Sequence, residues 1–281
     1  MPIDPALKGK ALPSLEFNYS SKDAILYALG VGAGSEPDEL KFVYENELEV
    51  LPTYGVIPPF GSLMAIVGME GMDFNLAMLL HGEQYLELIK PIPVAGTLTS
   101  YPVIAEIYDK GKGALVEIDV LTKDNSGEVL FKNRFSTFIR GEGGFGGKRG
   151  PEPGHEPPER EPDKVVSDKT LPQQALLYRL SGDINPLHAD PAFAAMGGFE
   201  KPILHGLCTF GFAGRAVLRE YCHNDPAKFK AIKVRFSRHV YPGETIITEM
   251  WQEDEDYIVI RAKTAERGEY CLTNAAVWLN R

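Results

Sequence analysis

The sequence predicts an α+β fold made of two copies of one unit, and three observations carry that reading. A Gly/Pro-rich stretch divides the chain near its middle. A short helical motif occurs once on each side of it, and each half continues into a Pro/Gly turn that opens a run of strand-like segments.

In the first half, Ile25-Leu26-Tyr27-Ala28-Leu29-Gly30 has the apolar spacing of a short amphipathic helix, and Ser20-x-x-Asp23 ahead of it reads as a capping box. Pro93-Val94-Ala95-Gly96 forms the turn, and strands are expected over Thr97–Tyr108, Ala114–Leu121 and Val129–Ile139. In the segment between Gly141 and Lys164 half the residues are glycine or proline; it has little to bury and reads as a solvated linker. Residues 1–140 are therefore assigned to the first repeat, 141–164 to the linker and 165–281 to the second repeat.

The second half repeats the order. Leu176-Leu177-Tyr178-Arg179-Leu180-Ser181 matches the first helical motif, with Thr170-x-x-Gln173 as its box. Tyr241-Pro242-Gly243-Glu244 is the turn, and Thr245–Trp251, Tyr257–Ala265 and Tyr270–Leu279 are the strands. A longer helix is clear at about Gly206 to Tyr221, where Leu207, Phe210, Val217, Leu218 and Tyr221 recur at helical spacing. Its small residues Gly211, Ala213 and Gly214 suit close packing, and the stretch lacks the preceding strand of a dinucleotide site. Each unit then becomes an antiparallel sheet covered by helix.

Composition limits the partners. The chain has 281 residues, 44% of them apolar, and a net charge of -10, which disfavours nucleic acid and anionic membranes. Cys208, Cys222 and Cys271 are too few and too scattered for a disulfide framework, so a reducing compartment is expected. No run resembles a signal peptide or a membrane span, and the terminal Trp-Leu-Asn-Arg is not a Ser-Lys-Leu address. A soluble intracellular protein is expected.

The chemistry concentrates in Leu180-Ser-Gly-Asp-Ile-Asn-Pro-Leu-His-Ala-Asp190. Gly182, Asn185 and Pro186 force an irregular loop, which can aim Asp183 and His188 into one pocket as an acid/base pair. The plainer alternative is that Asp183 and Asn185 cap turns and that His188 bonds a nearby carbonyl. Downstream, His205-Gly206 opens the long helix, whose free N–H groups favour a developing oxyanion. The first half has Leu-Gly-Val-Gly-Ala-Gly-Ser at the corresponding place and no histidine, so one active site per chain is expected.

Here the sequence resembles a known family. SGDINPLHAD with GFEKPILHGLCTFGFAGRAVL, and in the first half LKFVYE, LPTYGVIPPFG and HGEQYLELIKP, are similar to the enoyl-CoA hydratase 2 family of MaoC-like dehydratases. The resemblance implies a double hot-dog fold, with two repeats each wrapping an antiparallel sheet around a central helix. It implies (R)-specific hydration of trans-2-enoyl-CoA, an acyl-CoA substrate, no metal or other cofactor, and a homodimer. The compartment would be the cytoplasm in a bacterium and the peroxisome in a eukaryote. It places Asp183, Asn185 and His188 on the catalytic loop, Gly206 at the oxyanion N–H and Glu45 as a further acid at the site. His81, Gly82, Lys110 and Phe236 match positions that hold acyl-CoA, and the apolar stretch Tyr54–Leu80 is a candidate lining for an acyl channel.

Three other readings compete: a hot-dog thioesterase, a non-catalytic acyl-CoA carrier, and a metal site of Asp183, His188, Asp190 and His205, whose spacing fits no recognised ligand pattern.

Overall fold

In the computed structural model, residues 3–152 and 154–281 are described. Ten strands form one sheet, and every pairing in it is antiparallel. The first half contributes β1 (Leu15–Tyr19), β2 (Leu79–Leu88), β3 (Gly96–Asp109), β4 (Gly113–Asp124) and β5 (Val129–Arg140). The second contributes β6 (Lys164–Lys169), β7 (Phe229–Phe236), β8 (Thr245–Asp254), β9 (Tyr257–Thr264) and β10 (Tyr270–Leu279). Their order across the sheet is β1-β3-β4-β5-β2-β7-β10-β9-β8-β6. The second five mirror the first five strand for strand, as a duplicated unit joined through one seam requires. The seam is the β2–β7 pair, from Glu83↔Arg235 to Glu87↔Ala231, where Glu83 accepts from Arg235 Nε at 2.8 Å.

The six strands expected from alternation lie within a residue or a few of their observed bounds. β1, β2, β6 and β7 complete the sheet beyond them. Four helices accompany it: α1 (Ser21–Gly30), α2 (Gln174–Tyr178), α3 (Pro191–Met196) and α4 (Gly206–Cys222). The capping box of α1 is present, with the Ser20 N–H donating to Asp23 Oδ2 at 2.8 Å. The second box is not formed as expected. Gln174 rather than Gln173 accepts the Leu171 N–H, at 3.0 Å, and the Thr170 hydroxyl donates to the Glu244 carbonyl and accepts the Gly243 N–H.

Among the described residues, only the second half has a long central helix. In the first, 3-10 turns at Pro52–Val56 and Phe60–Met64 take its place. They lie in LPTYGVIPPFG, whose prolines cannot sit inside a regular helix. The first half instead leans on α4. A Cβ at Gly211 would meet Val31 at 2.4 Å, and one at Gly214 would meet Thr53 at 2.4 Å, so the two glycines let first-half backbone approach the helix. The main core surrounds α4 and draws on both halves, including Tyr27, Tyr54, Phe210, Phe212 and Ile232. A second core lies within the first half, where Leu63, Ile66 and Met72 cover Ile104, Val116 and Phe135. Burial on this scale is the main source of stability.

Residues 141–163 form no helix or strand among those described, yet the segment is no free tether. The Asp109 carboxylate accepts the N–H groups of Gly144 at 2.8 Å and Gly146 at 2.7 Å. Further on, His155 Nδ1 bonds the Tyr257 hydroxyl at 2.6 Å, and Trp251 Nε1 donates to the Arg160 carbonyl at 2.8 Å. A polar segment can remain on the surface and still be tied down, which composition does not reveal.

Candidate active site

The loop 180–190 takes its shape from its own polar side chains. Gly182, at φ 129°, ends the helical run after α2, a conformation closed to residues with a side chain. Asp183 Oδ1 accepts the Asn185 N–H at 3.2 Å, and Asn185 Oδ1 accepts the Leu187 N–H at 3.0 Å, starting the turn Pro186–His188. Asp190 then caps α3 by accepting the N–H of Ala192 at 2.8 Å. The turn-capping contacts are present, and they are compatible with the catalytic reading, because the caps set the direction in which Asp183 and His188 point.

His188 is buried, and its Nδ1 lies 2.9 Å from the Ile203 carbonyl. A carbonyl only accepts, so Nδ1 carries the proton and Nε2 of the neutral ring keeps its lone pair. His205, 1% exposed, lies with Nε2 3.0 Å from the Asp183 carbonyl and therefore donates through that atom. The two rings stack with centroids 3.7 Å apart and an interplanar angle of 27°, and Tyr178 backs His205 at 4.9 Å. One polar atom from each of Asp183, His188 and His205 lies within 4.8 Å of the others.

Burial lowers the pKa of His188, against the opposing pull of the Ile203 carbonyl and the Asp183 charge. Burial, with His188 alongside, pushes His205 down to about 2 and keeps it neutral. The sequence presents His205 only as the residue that precedes the long helix and as a candidate metal ligand. The signal available there was its place immediately before Gly206.

Gly206 begins α4. The N–H groups of Cys208 and Thr209 bond the His205 carbonyl at 3.1 and 3.2 Å, whereas that of Gly206 has no partner among the described residues. The Phe236 ring lies over Gly206, where a Cβ would meet it at 3.1 Å, and His81 packs edge-on against that ring at 4.9 Å. His81 Nε2 is buried without a partner, and burial lowers its pKa to about 4. Gly82 forms the bulge between His81 and Glu83 in β2. Phe236, His81, Gly82 and Gly206 are thus brought to one end of α4.

The other two expected residues lie apart from this cluster. Lys110, on the β3–β4 turn, reaches the Pro151 carbonyl at 3.5 Å. Glu45 is exposed in the loop after the turn Pro37–Phe42 and makes no hydrogen bond among the described residues. The buried acid of that segment is Glu39, which accepts from Arg215 of α4 at 2.6 Å.

A cavity of about 230 Å³ is lined by Tyr178, Ser181, Gly182, Asp183 and Leu207 of the second half. From the first half it is lined by Ile57, Pro58, Phe60 and Gly61 and by Leu15, Glu16 and Phe17 of β1. Its lining is mostly apolar, with Asp183 and Glu16 as its carboxylates. This cavity draws on the first third of the stretch Tyr54–Leu80.

The cluster fits a metal ion poorly. An ion must lie about 2 Å from each nitrogen in the plane of its ring. Rings stacked face to face at 3.7 Å offer no point that meets this condition for both. Asp190, the fourth candidate ligand, is engaged at the start of α3. What remains is a pair of hydrogen-bond acceptors, Asp183 and His188 Nε2, of which Asp183 lines the cavity.

The chain matches two protein families, the MFE-2 hydratase 2 N-terminal domain over residues 17–141 and the MaoC like domain over residues 154–274. It is 48% identical to a probable enoyl-CoA hydratase 2 of Dictyostelium discoideum, over 92% of this chain and 90% of that protein. It is 50% identical to the peroxisomal multifunctional enzyme type 2 of Mus musculus, covering 96% of this chain but 37% of that longer protein. A MaoC-like dehydratase from Phytophthora capsici has a crystal structure that superimposes with a TM-score of 0.87 at 37% identity, covering 99% of this chain and 98% of that one.

Proposed function

The chain belongs to the MaoC-like hydratase 2 family, hydro-lyases acting on enoyl-CoA, and we propose that it converts trans-2-enoyl-CoA to (3R)-3-hydroxyacyl-CoA on a water held by Asp183 and His188. The observation that carries this assignment of residues is the convergence of Asp183, His188 and His205 within 4.8 Å, with Asp183 lining a cavity.

The conjugated thioester is electrophilic at C3. The water donates one hydrogen bond to Asp183 and the other to His188 Nε2. As its oxygen bonds to C3, His188 takes one proton and the electron pair moves through C2 to the thioester oxygen, where the Gly206 N–H meets the new charge. The imidazolium, destabilised by burial, returns its proton to C2 and restores the thioester. The proton on C2 and the hydroxyl on C3 come from one water on one face, so addition is syn. Asn185 holds the loop through its turn, and His205 fixes the Asp183 backbone. No cofactor takes part.

The thioester end of the substrate lies against Phe236, His81 and Gly82, with Lys110 as a cation for the phosphates of coenzyme A. Glu45 is left without a role, since the acid buried in its segment is Glu39. A homodimer is the assembly we expect. The exposed Leu176, Leu180 and Ile184, which follow one another on α2 and the catalytic loop, offer an apolar surface for a second copy. The compartment we expect is the peroxisome in a eukaryotic host and the cytoplasm in a bacterial one.

The test is hydration of trans-2-decenoyl-CoA with chiral analysis of the product and a free-thiol assay alongside. A (3R)-hydroxy product without thiol release is expected. A predominantly (3S) product overturns the stereochemical assignment, and release of coenzyme A would indicate a thioesterase.

A further inference from the structure

We infer that the Tyr178 hydroxyl is the third ligand of the reacting oxygen, donating to the water that Asp183 and His188 hold and to the 3-hydroxyl that this water becomes. The inference rests on the hydratase reading, which brings that water to Asp183.

A water molecule has two hydrogens to donate and two lone pairs with which to accept. Asp183 and His188 Nε2 are both acceptors, and they take the two hydrogens. One lone pair must point at C3 for the new bond to form. The other is left for a donor, which neither member of the pair can supply. With two contacts the water can still turn about the line between its acceptors. A third contact fixes the direction of the attacking lone pair.

Tyr178 has the properties that this donor needs. It lines the cavity together with Ser181 and Asp183. It is 1% exposed, and its hydroxyl makes no hydrogen bond among the described residues. A buried hydroxyl without a partner is destabilising, so its place beside a reactive carboxylate points to a partner that comes with the reaction. Burial, with Tyr27, Cys208 and the Asp183 charge adding to it, holds the Tyr178 pKa well above the ordinary tyrosine value. The group therefore stays protonated, as a donor must.

The ring is held from two sides, with centroid distances of 4.9 Å to His205 and 6.0 Å to Tyr27. Its hydroxyl is thereby kept at a set position. Tyr27, Tyr54 and Tyr221 also carry hydroxyls without a hydrogen bond among the described residues, but none of the three lines the cavity. Ser181 does line it, and its hydroxyl is unbonded too, so it serves as the comparison. No proton leaves Tyr178 in the reaction. The hydroxyl keeps its hydrogen while the oxygen it contacts passes from water to 3-hydroxyl, and in the reverse direction it meets the departing oxygen.

The experiment measures kcat and KM for trans-2-decenoyl-CoA, together with the melting temperature, in the wild type, Tyr178→Phe and Ser181→Ala. Phenylalanine keeps the ring against His205 and Tyr27 and removes only the oxygen. In Tyr178→Phe kcat should fall by roughly 10- to 100-fold, the scale of a reacting group misplaced by about 1 Å, with KM little changed. Its melting temperature should be equal to the wild type or higher, since an unpaired polar atom has left the interior. The fall in kcat should exceed that in Ser181→Ala. Wild-type kcat in Tyr178→Phe, or a larger loss in Ser181→Ala, overturns the inference. So does a loss of activity that comes with a lower melting temperature, because the hydroxyl would then serve the fold. Absence of hydration in the wild type would instead defeat the hydratase reading.

Discussion

His205 holds Asp183 through the backbone rather than the carboxylate: its Nε2–H donates to the Asp183 carbonyl at 3.0 Å while its ring lies 3.7 Å from that of His188. One neutral ring thus contacts both members of the proposed pair.

Its two contributions are separable. His205→Gln keeps a donor near the position of Nε2 but loses the stack, and His205→Phe keeps the stack but loses the donor. If anchoring of Asp183 matters more, kcat in His205→Phe should fall by up to about 10²-fold, the cost of a misplacement of about 1 Å. His205→Gln should retain more activity, with KM little changed in both. Equal, near wild-type kcat in both variants would remove His205 from the mechanism.

The pair itself should behave as a unit. Asp183→Asn and His188→Gln should each reduce kcat by about 10²–10⁴-fold, and the double variant should be scarcely worse than the worse single. The melting temperature of Asp183→Asn should hardly move, because the amide oxygen can still accept the Asn185 N–H. Wild-type turnover in either single variant would refute the assignment.

Acid should destabilise the fold before carboxylates titrate. His205 and His81 have pKa values lowered by burial to about 2 and about 4, against 6.5 in an unfolded chain. Below pH 6.5 the unfolded chain therefore binds protons that the folded one refuses. Their contribution is complete above that pH and is lost progressively as the pH falls toward those lowered values. Each proton taken up on unfolding costs about 1.4 kcal/mol per pH unit. Urea unfolding of His205→Gln between roughly pH 6 and pH 4.5 should show a slope shallower by about that amount. Parallel slopes would contradict it.

The strap at 141–163 should loosen when its anchor is removed. Asp109→Ala deletes the acceptor for the N–H groups of Gly111, Gly144 and Gly146. At about 1 kcal/mol per bond, protease cutting within the strap should rise by about 10-fold or more. The fragments should still elute together, held by the β2–β7 seam and the shared core. Separation of the fragments after cutting would show that the strap carries the association.

The strands of each repeat were legible because alternation survives wherever one face of a strand is buried, and α4 because its apolar spacing is strong. The convergence of Asp183 with His188 and the start of α4 at Gly206 were legible because loop-forming residues and a helix start flank them. The first-half 3-10 turns were not, since LPTYGVIPPFG is apolar throughout and carries no period. The role of His205 was hidden because its hydrogen bond crosses 22 residues to a main-chain atom, and no pattern of side chains encodes a carbonyl. The Asp109 anchor escaped for the same reason. Glu45, expected as a further acid at the site, is exposed, and the buried acid of its segment is Glu39, which Arg215 draws inside.

Gly211 and Gly214 place Val31 and Thr53 of the first half directly against α4, and the cavity lies between those same halves. The cavity is therefore a gap between two halves whose separation depends on how closely the first half approaches that helix face. A methyl group added at either glycine would act as a shim. Its effect would be felt as a change in the spacing of the halves, with Asp183 and His188 left where they are.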